Sequence, residues 1–267
     1  MLQETAVGKL SPFPPFRSRG IPMIEKNSLG QNVGISLPGW VPPPRPPREA
    51  LLGKFCRLEP LDVAAHAGDL HHHFGEDTDG RDWSYLPYGP FDSLGAFEAW
   101  MTDTCLDADP FFYAIVDTAT GRAAGMVSFM RINPAHGSIE VGHVHYAPAI
   151  QRGRVTSQAM YLMMQWAFEA GYRRYEWKCH SFNRPSRVAA QRLGFSYEGV
   201  FRDHMIHRGR SRDTAWYACV ASEWPALKAA YETWLDPDNF DAEGNQNIRL
   251  STLTRPILVA TDPELEP

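Results

Sequence analysis

Residues 183–202 read NRPSRVAAQRLGFSYEGVFR, and the order of signals within them decides the fold. A short helix over 185–193 stops at Gly194, the residue type that most readily adopts the backbone conformation needed to leave a helix. A strand over 195–206 follows at once. Before this stretch lie a strand over 172–179 and a helix over 156–170, whose Ala159, Leu162, Met163, Trp166, Ala167 and Ala170 form one apolar stripe closed by Gly171. Strand and helix therefore alternate, and the pattern extends both ways. Upstream are a strand over 54–61, a helix over 62–74 with Val63, Ala64, His66, Ala67 and Leu70 at helical spacing, a helix over 93–103, and strands over 111–117, 123–132 and 138–146. Gly121 marks one turn among them, and Asn133-Pro134 with Gly137 another. Downstream, Arg208-Gly209-Arg210 turns a hairpin into a strand over 214–220. Ser222 is the expected cap of a final helix over 223–234, with Pro225 in its first turn.

The chain has 267 residues, 43% of them hydrophobic and 21% charged. That composition is ordinary for a globular protein and excludes a wholly disordered, collagen-like or disulfide-scaffolded chain. A net charge of −5 gives no overall attraction to phosphate backbones or anionic lipid, so neither nucleic acid nor a membrane is expected as a partner. Cys56, Cys105, Cys179 and Cys219 show no CxxC pair and no zinc-ligand spacing; they read as reduced, buried thiols of a cytoplasmic protein. No stretch is apolar for the roughly 18–20 residues that a membrane span needs, and the N-terminus lacks the features of a secretory signal. Proline is concentrated at the front. The run WVPPPRPP at 40–47 can form neither helix nor central strand, and reads as an extended arm that is either a stiff spacer lying on the domain or a ligand for an SH3-type partner. The polar stretch that starts at Asp236 reads as a loosely attached tail. The expected organisation is an arm over 1–49, one domain over 50–235 and a tail over 236–267.

Three segments carry a resemblance: IEVGHVHYAP at 139–148, IQRGRVTSQAMYLMMQWAFEAGYRRYEWKC at 150–179, and the 183–202 stretch, with RSRDTAWYACVASEW at 210–224 as the closing strand. From about residue 57 to residue 234 the chain resembles the GCN5-related N-acetyltransferases (GNAT). Within them it is similar to the RimJ/RimL group, which acetylates ribosomal-protein N-termini and has many small-molecule-modifying relatives. The resemblance implies an α/β (α+β) fold with a mixed, mostly antiparallel sheet of six or seven strands flanked by helices. It also implies acetyl-CoA as co-substrate, and direct transfer of the acetyl group in a ternary complex to a primary amine of a small molecule or a protein N-terminus. Relatives often dimerise, which adds the expectation of a homodimer joined by the N-terminal arm.

Acyl transfer from a thioester to an amine needs an anchor for the pyrophosphate, a donor for the carbonyl oxyanion, a base for the amine and an acid for the leaving thiolate. The loop Gln151, Arg152, Gly153, Arg154, Val155, Thr156 and Ser157 supplies the anchor with backbone N–H groups at a helix start. It departs from the family pattern QxxGxG or QxxGxA, because Arg154 and Thr156 stand at the small positions and Gly153 comes one place early. The alternative reading is therefore a non-catalytic acyl-CoA-binding or protein-interaction module. By the resemblance, Asn183 contacts the pantetheine arm. Ser186 becomes the acid for the thiolate, because the family's tyrosine seven residues past that asparagine is here Ala190; helix capping is the competing explanation.

The N–H near Tyr146 is the expected oxyanion donor, where strand 138–146 splays from its parallel neighbour. Glu140 is the candidate general base, directly or through water, or else a structural carboxylate. Strand alternation puts Glu140, Gly142 and Val144 on one face and Val141, His143 and His145 on the other. The two histidines read as acceptor-side residues able to relay a proton, and no metal is expected because no third ligand accompanies them. His71, His72 and His73 point three ways around a helix, so they form no three-histidine site alone. Arg187 and Arg192 either reach the 3′-phosphate of coenzyme A or lie on the surface. Trp83, Tyr85 and Tyr88 of the loop WSYLPY, with Phe91 and the hairpin over 202–212, either frame the acceptor cleft or pack in the core.

Overall fold

The computed structural model describes residues 24–265, so the front of the proline-rich arm lies outside the described residues. A short hairpin of β1 (Ile24–Lys26) and β2 (Asn32–Gly34) comes first. The main body then runs β3 (Leu51–Leu52), β4 (Cys56–Pro60), α1 (Val63–Phe74), α2 (Leu94–Thr104), β5 (Phe111–Asp117), β6 (Ala123–Asn133) and β7 (Ser138–Tyr146). It continues with α3 (Arg154–Glu169), β8 (Arg174–His180), α4 (Arg184–Arg192), β9 (Ser196–His207), β10 (Arg210–Val220), α5 (Trp224–Leu235) and α6 (Leu250–Thr254). The main sheet has eight strands in the order β3-β4-β5-β6-β7-β8-β10-β9, and every pairing is antiparallel except that of β7 with β8. It exceeds the expected six or seven because the two-residue β3 adds to the edge through Leu51 opposite Leu58.

Local chemistry sets the boundaries. Asp62 and Ser93 cap α1 and α2 by accepting the N–H groups of Ala65 and Ala96. Ser222 does not cap α5: Glu223 takes that place, and its carboxylate accepts the Val220 N–H at 2.9 Å. Gly171 turns the chain out of α3 with φ at 104°, so the apolar stripe ends where the next strand must begin. That stripe lies on the sheet with Ala159, Met163 and Ala167 fully buried.

Two irregularities shape the centre. The parallel pairing of β7 and β8 runs only from Ser138 opposite Arg174 to Val141 opposite Trp177, although the strands continue to Tyr146 and His180. Against β6, Gly142 faces Ser128 but His145 faces Met126, so β7 carries an extra residue, with His143 at φ 51°. Such a bulge bends its strand and re-aims the side chains beyond it.

The flanks are docked. Pro43 is buried, and the carbonyls of Pro44 and Pro47 accept the hydroxyls of Tyr172 and Tyr113 at 3.0 and 3.1 Å. Trp40 lies under the Arg173 guanidinium. The expectation of a loose tail is corrected. Leu250, Thr254, Leu258 and Asp262 are buried, and Asp262 binds Arg187 at 2.6 Å and the Tyr217 hydroxyl at 2.5 Å. Arg187 also donates to Ser181 O and Glu264. Burial alone would push the Asp262 carboxyl up, but its hydrogen bonds from Arg187 and Tyr217 outweigh it and hold the group below its ordinary value. The polar composition hid this attachment because it depends on one buried ion pair and a few apolar anchors.

Removing one partner of a buried pair strands the other. Asp262→Asn should therefore lower unfolding free energy by about 3 kcal/mol in urea denaturation, and an unchanged midpoint would show that the Arg187–Asp262 pair contributes nothing to stability. A second outcome concerns pH. Burial, chiefly, raises Glu223 from 4.5 to about 7, so the native state holds a proton that the unfolded chain releases at lower pH. Stability from this group is full below about pH 4.5 and falls as pH rises through about 7, by about 3 kcal/mol. Glu223→Gln should flatten that slope in melts taken between pH 4.5 and 7.5.

Candidate active site

Gly153 is the residue before the first turn of α3, and no side chain caps that end. Arg152 enters it through the left-handed conformation, at φ 59°. The N–H groups of Arg154, Val155 and Thr156 open the helix, where no carbonyl of the same helix can reach them. With the helix dipole they form an end suited to an anion.

The unusual side chains of this loop are turned aside. Arg154 lies between the rings of Phe55 and Phe240, at 4.9 and 5.0 Å. Thr156 and Ser157 are buried and donate back to Gly153 O at 3.2 and 3.0 Å. Gln151 donates to Asp82 at 2.6 Å and to Tyr146 O at 3.1 Å, which fixes the loop against the chain before it. Arg192 reaches Ser157 Oγ at 3.1 Å and covers the Trp234 ring. Arg187 is not a surface residue: it is buried, and the tail's Asp262 and Glu264 pair with it.

On β7, Glu140 is buried with a cation at each oxygen: Arg131 Nη1 lies 2.7 Å from Oε1, and Lys178 Nζ lies 2.7 Å from Oε2. Lys178 also meets Glu176 at 2.7 Å and stands 3.9 Å over the Trp216 ring. Glu176 pairs in turn with Arg174, which holds Glu198. The expected alternation fails at the bulge. Val141 faces Phe129, whose ring meets Trp166 of α3 at 5.1 Å. His145 instead stacks on Phe74 of α1 at 4.0 Å, and His143 lies 5.0 Å from Phe112.

Those histidines are poor proton carriers. Burial pushes His143 down to about 4, with Arg131 adding to it, and His145 down to about 3, so both are neutral at pH 7. Trp83 is buried edge-on to Phe74 and His145; the acceptor-lining expectation is therefore corrected for Trp83 and His145, which pack in the core. Tyr88 accepts or donates at His143 Nδ1 over 3.1 Å, stacks on that ring and lies tilted against Trp100 at 4.2 Å. Tyr85 stays at the rim, with its hydroxyl donating to Phe182 O at 3.1 Å and its ring 5.2 Å from His180. The hairpin of β9 and β10 closes onto this loop through Arg208, which donates to Tyr88 O and Gly89 O at 2.8 and 2.9 Å.

After β8, Asn183 caps α4 by accepting the Ser186 N–H at 3.1 Å. Capping thus falls to the asparagine. Ser186 Oγ accepts the Trp177 indole N–H at 3.0 Å, and its own hydrogen is shared with the neighbouring Cys179 thiol. Tyr146 stands past the last β7–β8 pair, and burial pushes its phenol up.

Sequence reasoning missed Arg131, Lys178 and Asp82. The parallel register of β7 and β8 was the signal that could have brought Lys178 to Glu140. Nothing local links Asp82 to Gln151. It also missed that His72 and His73, joined by Glu76 rather than by His71, bring ligand atoms within 4.8 Å of one another.

A family profile for the "Acetyltransferase (GNAT) domain" matches residues 56–196. No curated protein matches the sequence. Among solved structures, a GCN5-related N-acetyltransferase from Brucella melitensis is 43% identical, with a TM-score of 0.79, over 81% of this chain and 99% of its own. A probable acetyltransferase of the GNAT family from Chromobacterium violaceum is 38% identical, with a TM-score of 0.68, over 73% and 97%. RimL, a ribosomal L7/L12 α-N-protein acetyltransferase, shares the fold at 21% identity and a TM-score of 0.54, over 68% and 99%. With the family profile spanning more than half its length, a near-complete structural relative at 43% identity and a splayed β7–β8 pair feeding an uncapped helix start, the chain belongs to the GNAT acetyltransferase family.

Proposed function

We propose that the protein moves an acetyl group from acetyl-CoA to a primary amine, by direct transfer in a ternary complex. The observation that carries this reading is the uncapped start of α3 beside the gap between β7 and β8. Backbone N–H groups from Arg154 to Thr156 would hold the pyrophosphate there, and the turned-aside Arg154 and Thr156 side chains leave that approach open despite the altered loop pattern. Gln151 fixes the loop, and Asn183 fixes the start of α4 on the other side of the gap. The bound thioester supplies an activated acetyl group, and the chain's own groups do the rest. The N–H near Tyr146 donates to the developing oxyanion, Ser186 turns its hydroxyl hydrogen from Cys179 to the leaving sulfur, and Glu140 takes the amine proton directly or through water. Tyr85, Tyr88 and His143 line the acceptor side. Four buried free thiols suit a reducing, cytoplasmic setting.

Calorimetric titration with acetyl-CoA tests the first step. Micromolar binding is expected; no binding up to millimolar concentration overturns the transferase reading in favour of an interaction module. For the chemistry, Glu140→Gln should lower kcat about a hundredfold or more while leaving the KM for acetyl-CoA in place. An unchanged kcat in a variant whose melting curve is intact removes Glu140 from the mechanism and leaves it as the anchor of Arg131 and Lys178. Ser186→Ala should lower kcat about tenfold or more without changing acetyl-CoA affinity.

A further inference from the structure

In the row of charged side chains around Glu140, three of the four cations have an anion. Arg174 holds Glu176 and Glu198, Lys178 holds Glu140 and Glu176, and Arg131 holds Glu140. Arg212 of β10 makes no ion pair among the described residues, and its Nε is buried with no hydrogen-bond partner. A buried guanidinium nitrogen without an acceptor is costly, so its place in the fold calls for an anion that the chain does not provide. Asp213 beside it is engaged elsewhere, accepting the Asp203 N–H at 2.7 Å.

The neighbours add positive potential. Burial, chiefly, and the nearby Arg131 push Arg212 down from the ordinary arginine value against the opposing effects of Cys179 and Glu140, and Arg212 in turn lowers His180 and His207 after burial has done so. His207, the last residue of β9, also has a buried Nε2 with no partner. These groups stand on the acceptor side. Thr214, two residues past Arg212, pairs with His180 at the end of β8, and the His180 ring meets Tyr85. Lys178 and Trp216 share that face, whereas Trp177 points to Ser186 on α4. The phosphate-binding end of α3 is therefore on the other side of the sheet.

We infer that Arg212, with His207 beside it, binds an anionic oxygen group of the acceptor, so that the substrate is a small primary amine that also carries a carboxylate or a phosphate. A polyamine or a polycationic aminoglycoside would meet Arg131, Arg208 and Arg212 as like charges. This inference rests on the acetyltransferase reading and names the class of its acceptor.

The test titrates the protein–coenzyme A complex with matched amines: L-phenylalanine against L-phenylalaninamide, phosphoethanolamine against ethanolamine, and spermidine. At least one acidic member should bind about tenfold or more tightly than its counterpart without the acid group, since a charge-assisted hydrogen bond is worth about that much; which pair discriminates separates the carboxylate from the phosphate. Arg212→Gln should abolish the discrimination while binding acetyl-CoA as the parent does, and Arg212→Lys should restore part of it. Equal binding of members with and without the acid group, preference for spermidine, no binding of either acid up to about 10 mM, or full discrimination in Arg212→Gln would overturn the inference while leaving acetyl-CoA binding intact. Loss of acetyl-CoA binding in the parent protein is a separate result, and it sinks the transferase reading together with its acceptor.

Discussion

The parallel pairing of β7 with β8, and its end at Val141 and Trp177, is the constraint on which the rest of the structure depends. Parallel neighbours need a crossover, and α3 is that crossover. Its start therefore lies just past the point where β7 leaves its partner. The extra residue at the His143 bulge bends β7 away, so both strands run on without pairing. Unpaired main-chain groups at the centre of a sheet are costly unless something meets them, which is why the splay, the uncapped helix and the aromatic loop converge on one place.

The tail makes that place rigid. Asn183 and Ser186 sit on the first turn of α4, and Arg187 one residue later is held by Asp262, Tyr217 and Ser181. Thr254 adds a bond to Arg192 O at the other end of α4. A short helix gains little from its own hydrogen bonds; here it is positioned from both ends by residues that composition marks as polar and dispensable.

The element order and the family pattern were legible because they rest on short-range signals: Gly171 and Gly194 after apolar stripes, the Arg208-Gly209 turn, and the strand over 138–146. The loop from Gln151 to Ser157 was legible as a loop running into a helix start, since that property belongs to the backbone. What failed was non-local. Alternation broke at a bulge that no residue of β7 announces, which moved His143 and His145 to the aromatic side. Ser222 lost its cap to Glu223 because the chain turns one residue later. Arg187 read as a surface or phosphate-binding arginine because its partner stands 75 residues away.

Direct transfer also draws support from the thiols. A covalent route through cysteine needs a thiolate. Burial pushes Cys56 and Cys105 up to about 12, raises Cys179 against the smaller effect of Ser186, and lifts Cys219 well above its ordinary value. The face of the sheet that carries Glu140 holds a row of ion pairs that fixes it between Arg131 and Lys178. A carboxylate fixed in that way can take a proton only through the lone pairs its cations leave free. The same two ion pairs that make Glu140 a precise part of the sheet therefore limit the directions from which any proton donor can approach it.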